Sequence, residues 1–266
     1  MKIILENEKH IALEIANLSI GYQRKKQDII IAKDISFSLN KGELAAIVGI
    51  NGIGKSTLLR TLGAVQKSIS GAIAIEHKTI QNYTPLELAT KISLVLTEAI
   101  ASKNLTVAEL IALGRQPYTN WLGTLTAVDK VKTKEAIQLV EIETLQHKKC
   151  YELSDGQLQR VMIARALAQD TPIILLDEPT SHLDLYHKVQ ILKLLKTIAH
   201  QTQKTILFTT HEIEVALQLC DKMLLLRKED SYFDTPEALI QGKYFEKLFP
   251  ANIIEFDPIL GSFKIV

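Results

Sequence analysis

The 266-residue chain is 47% apolar and 23% charged, the balance of a folded globular protein rather than a disordered or fibrous one. Its net charge of +1 supplies no strong field toward nucleic acid or an anionic membrane. Residues 1–10 carry charges and no apolar segment of secretory-signal length, and no run nears the ~20 apolar residues of a membrane helix. The chain is therefore expected to be soluble, and to reach a membrane only through a partner.

In chain order, short apolar or alternating runs predict strands over about 11–16, 35–39, 44–48 and 92–96, then over 173–176, 205–209 and 223–227. Those at 44–48, 173–176 and 205–209 are apolar through most of their length, as strands buried on both faces of a parallel sheet are. Helices are expected over 55–64, directly after a strand, over 185–200 between two strands, and over 212–219. Strand alternating with helix implies an α/β core. From about 107 to 169 the pattern is helical with no convincing strand. Thr106 can cap a helix over 107–113, Thr126 or Asp129 can start one ending near Val140, and Ser154 opens one toward Ala168. The expectation is a single domain over 1–266. Its α/β core is drawn from about 1–98 and 170–266, with a helical subdomain over about 99–169. From about 234 onward a short helix or two and a final strand pair should follow. Cys150 and Cys220 form no CxxC and read as reduced thiols.

The segment Gly49-Ile50-Asn51-Gly52-Ile53-Gly54-Lys55-Ser56-Thr57 lies between an apolar strand and a helix and fits G-x-x-x-x-G-K-[ST]. Gly49, Gly52 and Gly54 allow successive N–H groups to converge on phosphate oxygens, and the helix adds the positive end of its dipole. Lys55 can reach β- and γ-phosphates, and the Ser56 hydroxyl can bind Mg²⁺. Further along, the apolar strand 173–176 ends in Asp177-Glu178. Burying these carboxylates is costly without a cation or hydrogen-bond partner, and the carboxyl ends of parallel strands are where ligands bind in open α/β sheets. Asp177 is thus a candidate for holding Mg²⁺ through water, and Glu178 for polarising an attacking water as general base.

Between these motifs lies Leu153-Ser154-Asp155-Gly156-Gln157, followed by Leu158-Gln159-Arg160. Ser154 and Gly156 would present a hydroxyl and backbone N–H groups at a helix N-terminus, a second anion site. Here the sequence resembles the ABC ATPase family, whose signature reads LSGGQ in most members. The resemblance runs over nearly the whole chain. It implies a P-loop NTPase core with a mainly parallel sheet, an antiparallel β edge and an inserted helical subdomain, and ATP hydrolysis with ATP and Mg²⁺. It implies that Ser154, Gly156 and Gln157 meet the γ-phosphate held by the opposite subunit. It also implies that Tyr22, after Gly21, stacks on adenine with Gly49, Asn51, Gly52, Gly54, Lys55, Ser56 and Thr57 around the phosphates. Ser181-His182-Leu183-Asp184 looks like the loop that touches the other subunit, and His211 like the histidine that contacts the γ-phosphate. Lys55, Glu178 and His211 would be the catalytic set. His10 and His147 read as surface residues.

Three positions depart from the family pattern. Asp155 replaces the second glycine of the signature and is expected to point away, capping its own helix. His182 replaces an alanine. Thr97, followed by Glu98, stands where the family has a Gln that couples Mg²⁺ to the membrane subunit, so either Thr97 acts through water or Glu98 takes over. Gly114-Arg115-Gln116-Pro117-Tyr118, with Trp121 close by, resembles the GR-x-P stretch of importers for iron-siderophores, haem and cobalamin, near which the helical subdomain docks the permease. The resemblance implies a homodimer that sandwiches ATP. It also implies multi-span permease subunits, an extracytoplasmic substrate-binding protein, no nucleic acid, and a peripheral place at the cytoplasmic face of the membrane. The alternatives are an exporter ATPase, a non-transport ABC protein acting on ribosomes or DNA, and an unrelated P-loop kinase or GTPase.

Overall fold

The computed structural model describes residues 10–24, 27–97, 103–250 and 252–266. Glu98 and most of the amino-terminal stretch read as lacking a signal lie outside the described residues.

The chain opens with β1 (Ile11–Tyr22) and β2 (Ile29–Asn40), an antiparallel pair, and then β3 (Leu44–Val48), which runs into α1 (Lys55–Leu62). Strands β4 (Ser70–Ile75) and β5 (Lys78–Thr79) come next, then α2 (Pro85–Ala89) and β6 (Ile92–Val95). The helical stretch holds α3 (Val107–Ala112), α4 (Ala127–Leu139) and α5 (Asp155–Ala168). The chain returns through β7 (Ile173–Leu176), α6 (Leu185–Thr202), β8 (Thr205–Thr209), α7 (Ile213–Leu219), β9 (Lys222–Leu226) and β10 (Ser231–Asp234). It ends in α8 (Pro236–Gln241) and a hairpin of β11 (Ile254–Asp257) and β12 (Ser262–Ile265).

A six-stranded sheet in the order β10-β9-β3-β8-β7-β6 forms the centre, all neighbours parallel except β10 against β9. Its strands divide the core by alternation. Leu44, Ala46, Val48, Ile174, Leu176, Ile206 and Phe208 face a cluster that includes α3 to α7. Ala45, Ile47, Ile173, Leu175 and Leu207 face the other cluster, made with α1 and the antiparallel sheet β2-β1-β4-β5. Side chains of successive strand residues point to opposite faces, so a fully apolar strand is the sequence of one covered on both.

Among the described residues, each of the three α-helices between β6 and β7 begins with a capping box: Thr106 with Glu109, Thr126 with Asp129, Ser154 with Gln157. Thr126 and Asp129, the two candidate starts, are the two halves of one cap. Between residues 106 and 149 the backbone makes a single isolated bridge, Thr106 to Lys149. Strands β4, β5 and β10 and helix α2 lie outside the predicted elements, and β1 and β2 extend beyond the predicted 11–16 and 35–39. Register shifts within the β1–β2 ladder break the period-two pattern, and β4 opens with Ser70-Gly71, weak strand formers that pairing with β1 holds in place. Both cysteines are free and buried, and burial pushes their thiols up.

Candidate functional site

The loop from β3 to α1 sets one wall. Gly54 stands at φ +108 before α1, and a Cβ there would lie 2.6 Å from Ile31 Cγ2; a Cβ on Gly49 would lie 2.5 Å from the Leu226 carbonyl oxygen. Both the conformation and the space demand glycine. The buried Lys55 ammonium donates to the carbonyls of Gly49 at 2.8 Å and Ile50 at 3.3 Å. Desolvation pushes Lys55 below the ordinary lysine range, opposed by the charges of Glu178 and Asp177.

Sheet register supplies the second wall. Leu176 pairs with Phe208 and Ile47 with Thr209, so the carboxyl ends of β3, β7 and β8 are level. Asp177 is buried there, and its Oδ1 accepts from Ser56 Oγ at 2.9 Å and Thr209 Oγ1 at 2.6 Å. The Glu178 N–H donates to Thr209 Oγ1 at 2.8 Å, and Glu178 holds the left-handed conformation, φ 46. His211 Nδ1 lies 3.5 Å from Glu178 Oε1. Half-exposed Tyr22, at the end of β1, lines one cleft with Asn51, Gly52, Gly54, Lys55, Ser56, Thr57 and Glu178. Lys55, Ser56, Asp177, Glu178 and His211 are therefore gathered at one sheet edge, with the aromatic at its rim.

Residues 153–157 contribute nothing to that cleft. Ser154 caps α5, its Oγ accepting the Gln157 N–H at 3.3 Å, while the Ser154 N–H donates to Gln157 Oε1 at 3.1 Å. This corrects the expectation for Asp155. Its carboxylate does not cap the helix; Ser154 does, because the cap precedes the first helical residue and Asp155 is that residue. Asp155 instead lines a second cleft with Thr97, His182, Asp177 and Glu178, so the three departures from the family pattern meet beside the acidic pair. A Cβ on Gly156 would meet only ordinary contacts, 3.5 Å from His187 Cδ2 and 3.7 Å from Leu183 Cδ2. The start of α5 thus adjoins the loop before α6.

Thr209 was missed. Its only sequence signal was a polar residue closing an apolar strand two positions before His211. Arg115, read as part of a docking stretch, is buried. Its Nε donates to Asp129 Oδ1 at 2.8 Å, its Nη1 to the Ala168 carbonyl at 2.8 Å, and its guanidinium stacks 3.9 Å from the Tyr118 ring. Trp121 and Leu122, just beyond, are exposed. His10 and His147 are exposed, as expected.

The family model for ABC transporters matches residues 32–181. The chain is 36% identical over 254 residues, 95% of it and 86% of its relative, to an uncharacterised ABC transporter ATP-binding protein of Methanocaldococcus jannaschii. It is 32% identical over 253 residues, 94% and 91% of the two chains, to a petrobactin import ATP-binding protein of Bacillus anthracis. Against an iron(3+)-hydroxamate import ATP-binding protein of Bacillus subtilis the identity is 35% over 217 residues, 82% and 79%. Among solved structures it is similar to a chain of an inward-facing transporter assigned to the metal-chelate type, with TM-score 0.77 and 30% identity over 90% of this chain and 89% of the other. It is similar, too, to an ATP-binding cassette in a dimeric post-hydrolysis state bound to ADP and Pi, with TM-score 0.71 and 29% identity over 84% and 98%.

Proposed function

Because the chain belongs to the ABC transporter family as an ATP-binding, ATP-hydrolysing subunit, we propose that it powers import of a chelated-iron type of cargo, in the class of iron-siderophores, haem or cobalamin, by closing on ATP and Mg²⁺ as a homodimer. The names of its relatives, import ATP-binding proteins for petrobactin and iron(3+)-hydroxamate, support import over export. Among the described residues no helix is long and apolar enough to cross a membrane, so the path for cargo belongs to multi-span permease subunits. The exposed Leu113, Trp121 and Leu122 suit the docking of that permease at the cytoplasmic face, with a substrate-binding protein opposite.

In this reading Tyr22 stacks on adenine, and the loop from Gly49 to Thr57 wraps the phosphates with its N–H groups while Lys55 moves from its own carbonyls to phosphate oxygens. Ser56 and Asp177 fit Mg²⁺, being a hydroxyl and a carboxylate held 2.9 Å apart, oxygen donors of the kind a hard cation takes. The ion would neutralise charge on the β- and γ-phosphates. Thr97, in the cleft beside Asp177, serves the same side through water. Glu178 accepts the proton of the attacking water, and His211 contacts the γ-phosphate. Ser154, Gly156 and Gln157 complete the site from the second copy.

The observation that carries this reading is the division of the site: Ser56 bonds Asp177, His211 lies beside Glu178, and Glu178 lines the cleft of the phosphate loop, to which residues 153–157 contribute nothing. The test is Glu178→Gln. With ATP and Mg²⁺ it is expected to run as a dimer on size-exclusion with light scattering and to hydrolyse at least 100-fold more slowly than wild type, in the range of a lost general base. A variant that stays monomeric, or that turns over briskly, would contradict it.

A further inference from the structure

His211 lies between two carboxylates. Its Nδ1 is 3.5 Å from Glu178 Oε1 and its Nε2 is 3.8 Å from Glu212 Oε1. Glu212 is anchored in turn. Its side chain is ion-paired with Lys188 Nζ, and its N–H donates to Thr210 Oγ1 at 3.0 Å. Lys188 stands in the first turn of α6, its N–H bonded to the carbonyl of Asp184, the residue that caps that helix. The loop leading to Asp184 adjoins the start of α5, where Leu183 and His187 face Gly156. An unbroken series of contacts therefore runs from the surface assigned to the second copy to the imidazole assigned to the γ-phosphate.

We infer that Lys188 and Glu212 are positioning residues, an ion pair that holds His211 against Glu178 and ties its placement to α6, so that docking of the second copy on residues 181–184 sets the imidazole for hydrolysis. This rests on the proposed roles of Glu178 and His211. The pair joins two elements that have no other side-chain ion pair between them among the described residues, and it is only partly buried, so its share in fold stability is small. Its consequence is geometric, and a misplacement of a reacting group by about 1 Å costs on the order of 100-fold in rate.

Four variants of the full chain test it: Lys188→Met, Lys188→Arg, Glu212→Gln, and Lys188→Met with Glu212→Gln. The readouts are ATPase kcat, KM for ATP and melting temperature. Lys188→Met and Glu212→Gln are each expected to lower kcat about tenfold or more, with KM and melting temperature close to wild type. Lys188→Arg, which keeps the pair, should retain most of kcat, and the double variant should be no worse than Glu212→Gln, as for two members of one linkage. Wild-type kcat in Lys188→Met, an equal loss in Lys188→Arg, additive losses, or losses that follow melting temperature and KM would each overturn the inference. Glu178→Gln assayed in parallel separates the two levels. If it turns over normally the base assignment fails; if it is inactive and Lys188→Met is normal, only the linkage fails.

Discussion

Thr209 makes the smallest group on which the acidic pair depends. Its buried hydroxyl donates to Asp177 Oδ1 and accepts the Glu178 N–H. Thr209→Val keeps the shape and removes both bonds. A buried polar group that loses its partner costs about 1–3 kcal/mol. If that loss falls on the reacting geometry, kcat drops about 10- to 100-fold. Steady-state ATPase assays, with melting curves as a fold control, measure this; full activity would mean that Asp177 and Glu178 hold their positions unaided. The charged members of this cluster were legible because type and order carry their chemistry: a lysine after glycines, two acids after an apolar strand. Thr209 was not, because threonine at a strand end is ordinary β composition, and only the pairing of β7 with β8 sets it beside Asp177.

Among the elements, the helices between β6 and β7 are fastened by Arg115. It joins the first turn of α4, through Asp129, to the last turn of α5, through the Ala168 carbonyl. The Thr126 hydroxyl and N–H first, and Arg115 with them, hold the Asp129 carboxyl below the usual range. Removing one partner of a buried ion pair leaves the other charge stranded, at about 3–5 kcal/mol. Arg115→Met should therefore lower the melting temperature by about 10 °C, and Arg115→Lys should not restore it, since one ammonium cannot reproduce a planar fork that serves two acceptors. A melting curve within a degree or two of wild type in the Met variant would count against this. The caps of α3, α4 and α5 were readable from local order, Thr or Ser followed three residues on by Glu, Asp or Gln. The partner of Arg115 lies 14 residues away in sequence, at a distance where sequence order says nothing about contact.

For the whole molecule the question is why residue 156 is glycine. It takes no positive φ, and its own chain leaves room for a Cβ. Glycine is a poorer helix residue than alanine, so the fold of one copy gives no reason for it; in the proposed homodimer, close approach of the second copy does. Gly156→Ala is accordingly expected to melt at or slightly above the wild-type temperature, yet to lose ATP-dependent dimerisation in the Glu178→Gln background and turnover in the otherwise wild-type chain. Unimpaired dimerisation would remove the second copy from this surface.

The sequence by itself determined the chemistry and the class of fold. The loop 49–57, the acids at 177–178 and the segment 153–157 are local patterns whose physics lies within a few residues, and fully apolar strands announce a sheet covered on both faces. Tertiary structure alone decided what those groups touch. The pairing of β3, β7 and β8 levels their carboxyl ends and brings Ser56, Asp177 and Thr209 together. The packing of α5 against the loop before α6 keeps Ser154 away from its own phosphate loop. Register and packing arise from contacts far apart in sequence, and those contacts leave no periodic trace along the chain.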